Sequence, residues 1–569
     1  MDKRFFLALF LSLIVIALSQ ILFPVPKPTQ IAKSAATDSS ALKASIKPAV
    51  RDSTATSGVV RWTPSPVGPL QLQTPASAAK AVSTISPGIA PEIVSVTTPK
   101  ATYRFSNVGA APVSAEIRDY VNRSGSGGAV NLGLAGSPLL AYQLITPTDT
   151  IDLGRVVFAA TRGRNHQGDE TIAYSATVGQ RAVSVSYTIP TDTTKSYVVR
   201  VNGGVSGIVG QTFLLVQMPK TLPSAEADTI ADHRSLAYSL KPQRDHARSV
   251  LFGSLDPGEK RLEAGPLSWV AIKNKYFVLG ILAPTNGTPF SEVSLTGGPR
   301  TTKVATNAQA TVVEEIRNSA FAFEIYAGPQ ESQRLISMGR DFDHLNPYGW
   351  KFLQGVVHPI ASKVIQALLW MHHRLNLSYG WVLVILGILI RLALWPLNQS
   401  TMRSSLRMQE LQPKLQAAQK KYKDPVQQRE AIMKVYHDAG VSPFAGLTGC
   451  LPALLPMPIL FALFFVFQNT IEFRGVPFLW LHDISIKDPL YILPLLMGAS
   501  MYVLSWIGMR NAPPNPQAKM MGYMFPVMMT VVLVNMASGL NLYYTAQNIA
   551  ALPQQWMLAR ERARMRPAG

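Results

Sequence analysis

Hydrophobic positions in this chain follow three successive patterns. From residue 92 to about 345 they come in short alternating runs such as "TYRFSNV", "RAVSVSYTI", "SYVVRV", "TFLLVQM" and "YFVLGILAP", separated by Gly, Asn, Asp and Pro. Period-two alternation with β-branched residues predicts an all-β antiparallel sandwich over 92–345. The step then lengthens to three and four at Leu353, Val357, Ile360, Val364, Leu368, Met371 and Leu375, beside Lys351, Gln354, Lys363 and Arg374. This predicts an amphipathic helix over 346–376, just before a greasy segment, lying in a membrane interface. From 379 to 558 the chain is mostly apolar, and apolar runs at 379–397, 447–470, 490–509, 520–536 and 538–558 read as transmembrane helices.

A sixth run, 5–23, follows Lys3 and Arg4. At about 1.5 Å per residue it spans about 28 Å, close to the hydrocarbon thickness. Ala17 and Ser19 also suit a cleaved signal peptide, but the run continues to Phe23, which favours an uncleaved anchor over 1–23. Residues 24–91 are rich in Pro, Ala, Ser, Thr and Lys and nearly devoid of aromatics, a disordered or extended linker. The expected class is an α-helical polytopic membrane protein with six transmembrane helices and an inserted all-β domain. Five of those helices, over 377–558, make the core.

Charge orients these spans. The loop 398–446 carries Arg403, Arg407, Lys414, Lys420, Lys421, Lys423, Arg429 and Lys434, and the tail 559–569 carries Arg560, Arg562, Arg564 and Arg566. The loop after Thr470 has only Arg474 and Lys487 as basic residues. An excess of basic residues marks the cytoplasmic side, which puts both termini inside and the β-domain on the trans side, the periplasm of a two-membrane bacterium. Within 398–446, Met402, Leu406, Leu411, Leu415, Ala418 and Tyr422 repeat at near-helical spacing, with Asp424-Pro425 as a helix start and Gly440 as a stop. That predicts a helical hairpin in the cytoplasm. The net charge of +20 suits anionic lipid, and ribosomal RNA for the exposed basic parts. The one cysteine, Cys450, excludes an intrachain disulfide framework and a multi-cysteine metal site. No phosphate loop, paired catalytic carboxylates or histidine cluster suggests an enzyme or a cofactor.

One position breaks the apolar pattern. Arg391 is the only Asp, Glu, Lys, Arg or His in the six runs. An arginine at mid-membrane costs roughly 2.5–3.5 kcal/mol on insertion scales. It either snorkels to the inner head groups or faces a water-filled cavity open to the cytoplasm. Polar groups to line such a cavity are available. Tyr543, Tyr544, Gln547 and Asn548 lie on the last run, where Tyr544, Gln547 and Asn548 share a face, and Asn535 and Ser505 lie on its neighbours. The run 447–470, with Pro452, Pro456 and Pro458, offers a greasy flank. A solute transporter binding a small anion at Arg391 is the alternative function, although no paired broken helices accompany it.

Several stretches resemble the YidC-type membrane protein insertases in their Gram-negative form. They are "YGW" at Tyr348, "IRLALWPL" around Arg391, "LQPKLQ" at Leu411, "CLPALLPMPILFALF" at Cys450, "PFLWLHDISIKDPLYILPLLMG" at Pro477 and "SGLNLYY" at Ser538. In the β-region, "WVAIKNKYF" at Trp269 and "IYAGP" at Ile325 also match. The resemblance implies a monomeric insertase, not an enzyme. It would act on nascent membrane proteins alone or beside the Sec translocon, through a hydrophilic groove sealed toward the periplasm. Arg391 falls on the family's groove arginine and Tyr544 on the tyrosine that contacts nascent spans. The chain departs from the pattern at Pro456, Ala537 and Gly387, and its short basic tail implies weak ribosome docking. On this reading, deleting 414–434 abolishes insertion while the spans keep their orientation. Unchanged insertion rates in proteoliposomes would reduce the hairpin to a linker.

Overall fold

A computed structural model describes residues 92–565 apart from 126, 193–196, 301, 303, 347–353, most of 397–424, 439–456 and 511–515. The expected anchor 1–23, linker 24–91, most of the hairpin 398–446, the start of the run at 447 and the last four residues of the tail lie outside the described residues.

The β-region folds as its alternation requires. In Arg181–Ile189 ("RAVSVSYTI") Val183, Val185, Tyr187 and Ile189 are buried, and Thr212–Gln217 alternates in the same way. Phe277–Leu282 is buried throughout, as suits a strand covered on both faces. Strands β1 (Ile93–Thr97), β2 (Ala101–Ser106), β3 (Ala111–Val121) and β4 (Ala129–Asn131) form one antiparallel sheet. The rest belong to a fourteen-stranded antiparallel sheet. A sheet that long must curl or change partners. It does so along Lys260–Lys273, whose first half pairs with Phe290–Gly297 and whose second half lies between Ala237–Pro242 and Phe277–Leu282, with a register shift between Ala264 and Leu267. The two sheets share one apolar core. Phe105 of the small sheet packs on Tyr187 of the large one, whose hydroxyl donates to the Ala110 carbonyl at 2.6 Å.

Helices follow. Label them α1 (Gln354–Leu375), α2 (Tyr379–Ala393), α3 (Pro425–Asp438), α4 (Met457–Asn469), α5 (Ile492–Met509), α6 (Pro516–Leu533) and α7 (Ser538–Met565). Among the described residues only α5 is long and apolar enough to cross a membrane, and two shorter apolar helices accompany it. The expected runs shift at their ends for local reasons. α6 starts four residues early because Pro516 is a favourable first helical residue. α7 continues through the expected boundary at 558, since "ARERARM" consists mostly of strong helix formers. The expected interfacial segment forms α1, and part of its apolar stripe is buried while Leu375 at its end is exposed. Val357, Ala361, Leu368 and Met371 are buried against α4, while Trp370 and Lys363 on other faces are exposed.

The link between the β-domain and the helices was not visible in the sequence pattern. It is the loop after α4. Ile471 enters the β-domain core and Phe473, two residues on, enters the helical core. Arg474 Nε donates to Glu226 Oε1 at 2.7 Å, and its Nη2 reaches the Val121 and Ala225 carbonyls at 2.8 and 3.0 Å. Arg123 pairs with Asp483, passing over Gly475, where any side chain would collide with the guanidinium. Glu472 Oε1 accepts from the Ser332 backbone N–H at 3.1 Å. Arg474, counted above only as a topology signal, is thus almost fully buried as a docking residue. Losing one partner of such a pair costs about 3–5 kcal/mol.

Burial pushes the Glu472 carboxyl up to about 7 against the opposing effect of backbone N–H donors, and Glu331 adds repulsion. Its ordinary value is 4.5, so the docked state holds an extra proton between the two values. Docking is therefore strongest below pH 4.5 and weakens as pH rises through about 7. Limited proteolysis of the 471–488 loop should be faster at pH 8 than at pH 5.5 after correction for protease activity, and Glu472→Gln should flatten the profile. A flat profile in the unaltered protein would refute this.

Candidate functional site

Arg391 occupies the last turn of α2, which ends at Ala393 rather than at the expected 397. The chain does not leave helical geometry there: Leu394 donates its N–H to the Ile390 carbonyl at 2.9 Å, and Trp395 and Pro396 are helical again. Arg391 is half-buried. Its Nη2 donates to Gln554 Oε1 on α7 at 2.9 Å. Gln554 Nε2 in turn donates to the Trp395 carbonyl at 3.1 Å. No carboxylate pairs with Arg391 among the described residues.

α7 reaches this position because α2 carries glycine one turn before the arginine. A Cβ on Gly387 would lie 3.1 Å from the Tyr543 carbonyl and 3.4 Å from both Ala546 Cβ and Gln547 N. Glycine therefore lets the two backbones pack closely, and the arginine reaches across.

Beside Arg391 lies a cavity of about 270 Å³ between α2, α5, α6 and α7. Its polar wall is the α7 stripe of Tyr544, Gln547, Asn548 and Gln555, and its opposite wall includes Met497, Met501, Phe525 and Met529. Asn548 is held by a bond to Ser500 Oγ at 3.0 Å. Two atoms of the lining residues, Arg391 Nε and Gln555 Oε1, are buried and meet no hydrogen-bond partner among the described residues. An unmet donor and an unmet acceptor beside flexible methionines make a site that suits a polar chain of variable shape.

The structure brings together Arg391, Tyr544, Gln547 and Asn548 around the cavity, and Tyr543, whose ring packs edge-on against Tyr544 at 5.3 Å, Ser505 and Asn535 are not part of its lining. Tyr543 is fully buried in the helical core against Phe467. Ser505 sits roughly 100° round α5 from the cavity residue Leu504, outside the lining. Asn535 is exposed in the turn after α6, because that helix stops at Leu533. Sequence reasoning missed Gln554, Gln555, Ser500 and the methionines. Continuing the Tyr544, Gln547, Asn548 face by helical steps leads to Ala551 and Gln555, and Met497 and Met501 are four apart. The cavity's apolar wall comes from α5 and α6, and the first part of the expected greasy flank, 447–456, lies outside the described residues. No group of three His, Cys, Asp or Glu able to hold a metal occurs among them.

Comparison with known proteins gives two family matches. Residues 93–360 match the YidC periplasmic domain, and residues 370–565 match the 60Kd inner membrane protein family. The membrane protein insertase YidC of Chlorobium luteolum is 32% identical over 424 residues, covering 69% of this chain and 69% of its own. That of Chlorobium phaeovibrioides is 31% identical over 414 residues, covering 66% and 67%. A crystal structure of an active YidC insertase with its first transmembrane domain resolved aligns at 18% identity and a TM-score of 0.33, over 82% of this chain and 93% of that one.

Gly387→Val should separate α2 from α7. The gain in helix propensity over glycine is below about 1 kcal/mol, whereas overpacking costs about 1–3 kcal/mol. A lower unfolding midpoint is expected in detergent, with Gly387→Ala lowering it less. A rise in either variant would show that the close approach is not constraining.

Proposed function

The chain belongs to the YidC family of membrane protein insertases, and we propose that it inserts proteins by hosting the polar flank of a nascent helix in the Arg391 cavity. The family's match to an inner membrane protein and to a periplasmic domain makes this an inner-membrane protein with a periplasmic β-domain. The observation that carries the proposed mechanism is a cation in an apolar helix whose hydrogen-bond partner is a neutral amide. A guanidinium in a confined, partly desolvated site attracts a carboxylate more strongly than bulk water allows.

The cavity shortens the polar path across the bilayer. The membrane potential, negative inside, then favours outward release of an acidic tail by roughly 2.3 kcal/mol per charge per 100 mV. The apolar span leaves sideways past α5 and α6, whose outer faces expose Leu495, Trp506, Val527 and Val531. Burial of the substrate helix in lipid drives the process, with no covalent chemistry and no nucleotide. No relative reported above supports anion transport.

Six spans, with both termini in the cytoplasm, are part of this reading and rest on the apolar runs and the basic loops. Contact of α1's exposed face, with Trp370 and Lys363, with the membrane interface is also part of it, and a monomeric core rests on the family resemblance. Basic residues of 398–446 and 559–569 support contact with anionic lipid and weaker contact with the ribosome. Work beside the Sec translocon rests on the family resemblance alone.

The test is an insertion assay on paired substrates that differ only in tail charge. Arg391→Ala should slow acidic-tailed substrates roughly tenfold, about 1.4 kcal/mol in the barrier, and affect neutral-tailed ones far less. Arg391→Lys should retain part of the activity, since charge matters more here than fork geometry. Equal loss for both substrates would make Arg391 a structural or hydrating residue.

A further inference from the structure

Gln554 is almost completely buried, yet it makes two side-chain hydrogen bonds of opposite polarity. Its amide nitrogen faces the Trp395 carbonyl at 3.1 Å, and that carbonyl can only accept. This assigns the amide's orientation and turns its oxygen toward the Arg391 Nη2 at 2.9 Å, which can only donate. A glutamate would meet Trp395 with a second acceptor and would neutralise the arginine. A methionine would satisfy neither group. A glutamine fits one donor and one acceptor at this reach while adding no charge.

Trp395 lies just past the end of α2 and Gln554 lies on α7, so the same amide also ties the two helices together at the level of the arginine. With one guanidinium nitrogen held here, Nε is left buried without an acceptor among the described residues, beside a cavity lined by polar groups of α7. Among the described residues Arg391 is thus oriented and unneutralised at once.

We propose that Gln554 is a positioning residue for insertion: a neutral rest for Arg391 that fixes the guanidinium at the cavity and gives way to a substrate carboxylate. The proposal rests on the reading that Arg391 receives acidic substrate segments. A neutral amide is a weaker acceptor than a carboxylate, so exchange runs toward the substrate, and the amide recovers the arginine once the substrate leaves. An internal carboxylate in its place would compete with every acidic tail. Gln554 therefore sets how strongly the chain favours acidic over neutral segments.

The experiment compares insertion of the same acidic-tailed and neutral-tailed substrates by the full-length protein in proteoliposomes, read as the ratio of the two rates. Gln554→Glu should lower the acidic-to-neutral ratio by about tenfold, and lowering pH until the introduced carboxyl is protonated should restore part of it. Gln554→Met, which adds no charge, should lower the ratio by about two- to fivefold with no pH recovery. In an Arg391→Ala background, Gln554→Glu should change the ratio less than about twofold, because a positioning residue acts only through the group it holds. Equal slowing of both substrates, or a Gln554→Glu effect that persists without Arg391, would overturn the proposal and leave Gln554 a packing residue. If Gln554→Glu does not reach the membrane intact, the Gln554→Met ratio decides. If Arg391→Ala itself treats both tails alike, the reading of Arg391 fails first. If it discriminates and the Gln554 variants do not, only the role of Gln554 fails.

Discussion

A cation on an apolar helix must find acceptors, and much of the helical region is arranged around that need. Arg391 sits half-buried in the last turn of α2. Part of that need is met by Gln554, which requires α7 to run against α2. That approach in turn requires Gly387, since a Cβ there would press on the α7 backbone. With α7 held in this way, its polar stripe faces α5 and α6 across a cavity. The charge, the glycine and the stripe are parts of one packing solution.

A second constraint acts on the trans side. The loop after α4 must satisfy two cores within three residues, and it does so by alternation: Ile471 one way, Phe473 the other. Buried charges hold the seam, with Arg474 against Glu226 and Arg123 against Asp483. Downstream, Asp488 is fully buried and accepts from the Leu490 and Leu493 backbone N–H groups and from Trp480, which fixes the start of α5. The backbone N–H groups of Ser538 and Gly539 donate to Ile486 and Ile484, so α7 begins on the same loop. This explains why "LHDISIKDP" and "SGLNLYY" are distinctive in the sequence: the two segments form one hydrogen-bonded unit. A firm outer end and a softer, methionine-lined cavity suit a protein proposed to open its polar site toward one side only.

Periodicity made the elements legible. The alternation in "RAVSVSYTI" and the apolar runs at 490–509 and 538–558 each predicted their element, with end shifts where Pro516 or the helix-forming tail ruled. The amphipathic stripe of α1 was equally plain, but what covered it was not, because lipid and α4 present the same apolar demand. In the site, Tyr544, Gln547 and Asn548 were found from their shared face on one helix. Ser505 and Asn535 lie outside the cavity lining for a different reason: which face of α5 looks inward, and where α6 stops, depend on neighbours that a helical wheel does not contain.

By itself, then, the sequence determined what each segment could bury: β-strands that alternate, helices that suit lipid, and one arginine with no charged neighbour in its run. It also carried the family resemblance, since those motifs are read residue by residue. Only the tertiary structure decided which surfaces those segments would share. Gln554 lies 163 residues from Arg391, and Arg123 lies 360 residues from Asp483. Such pairings are set by the packing of whole elements, because a hydrogen bond is felt over a few ångströms in space and has no trace in local composition.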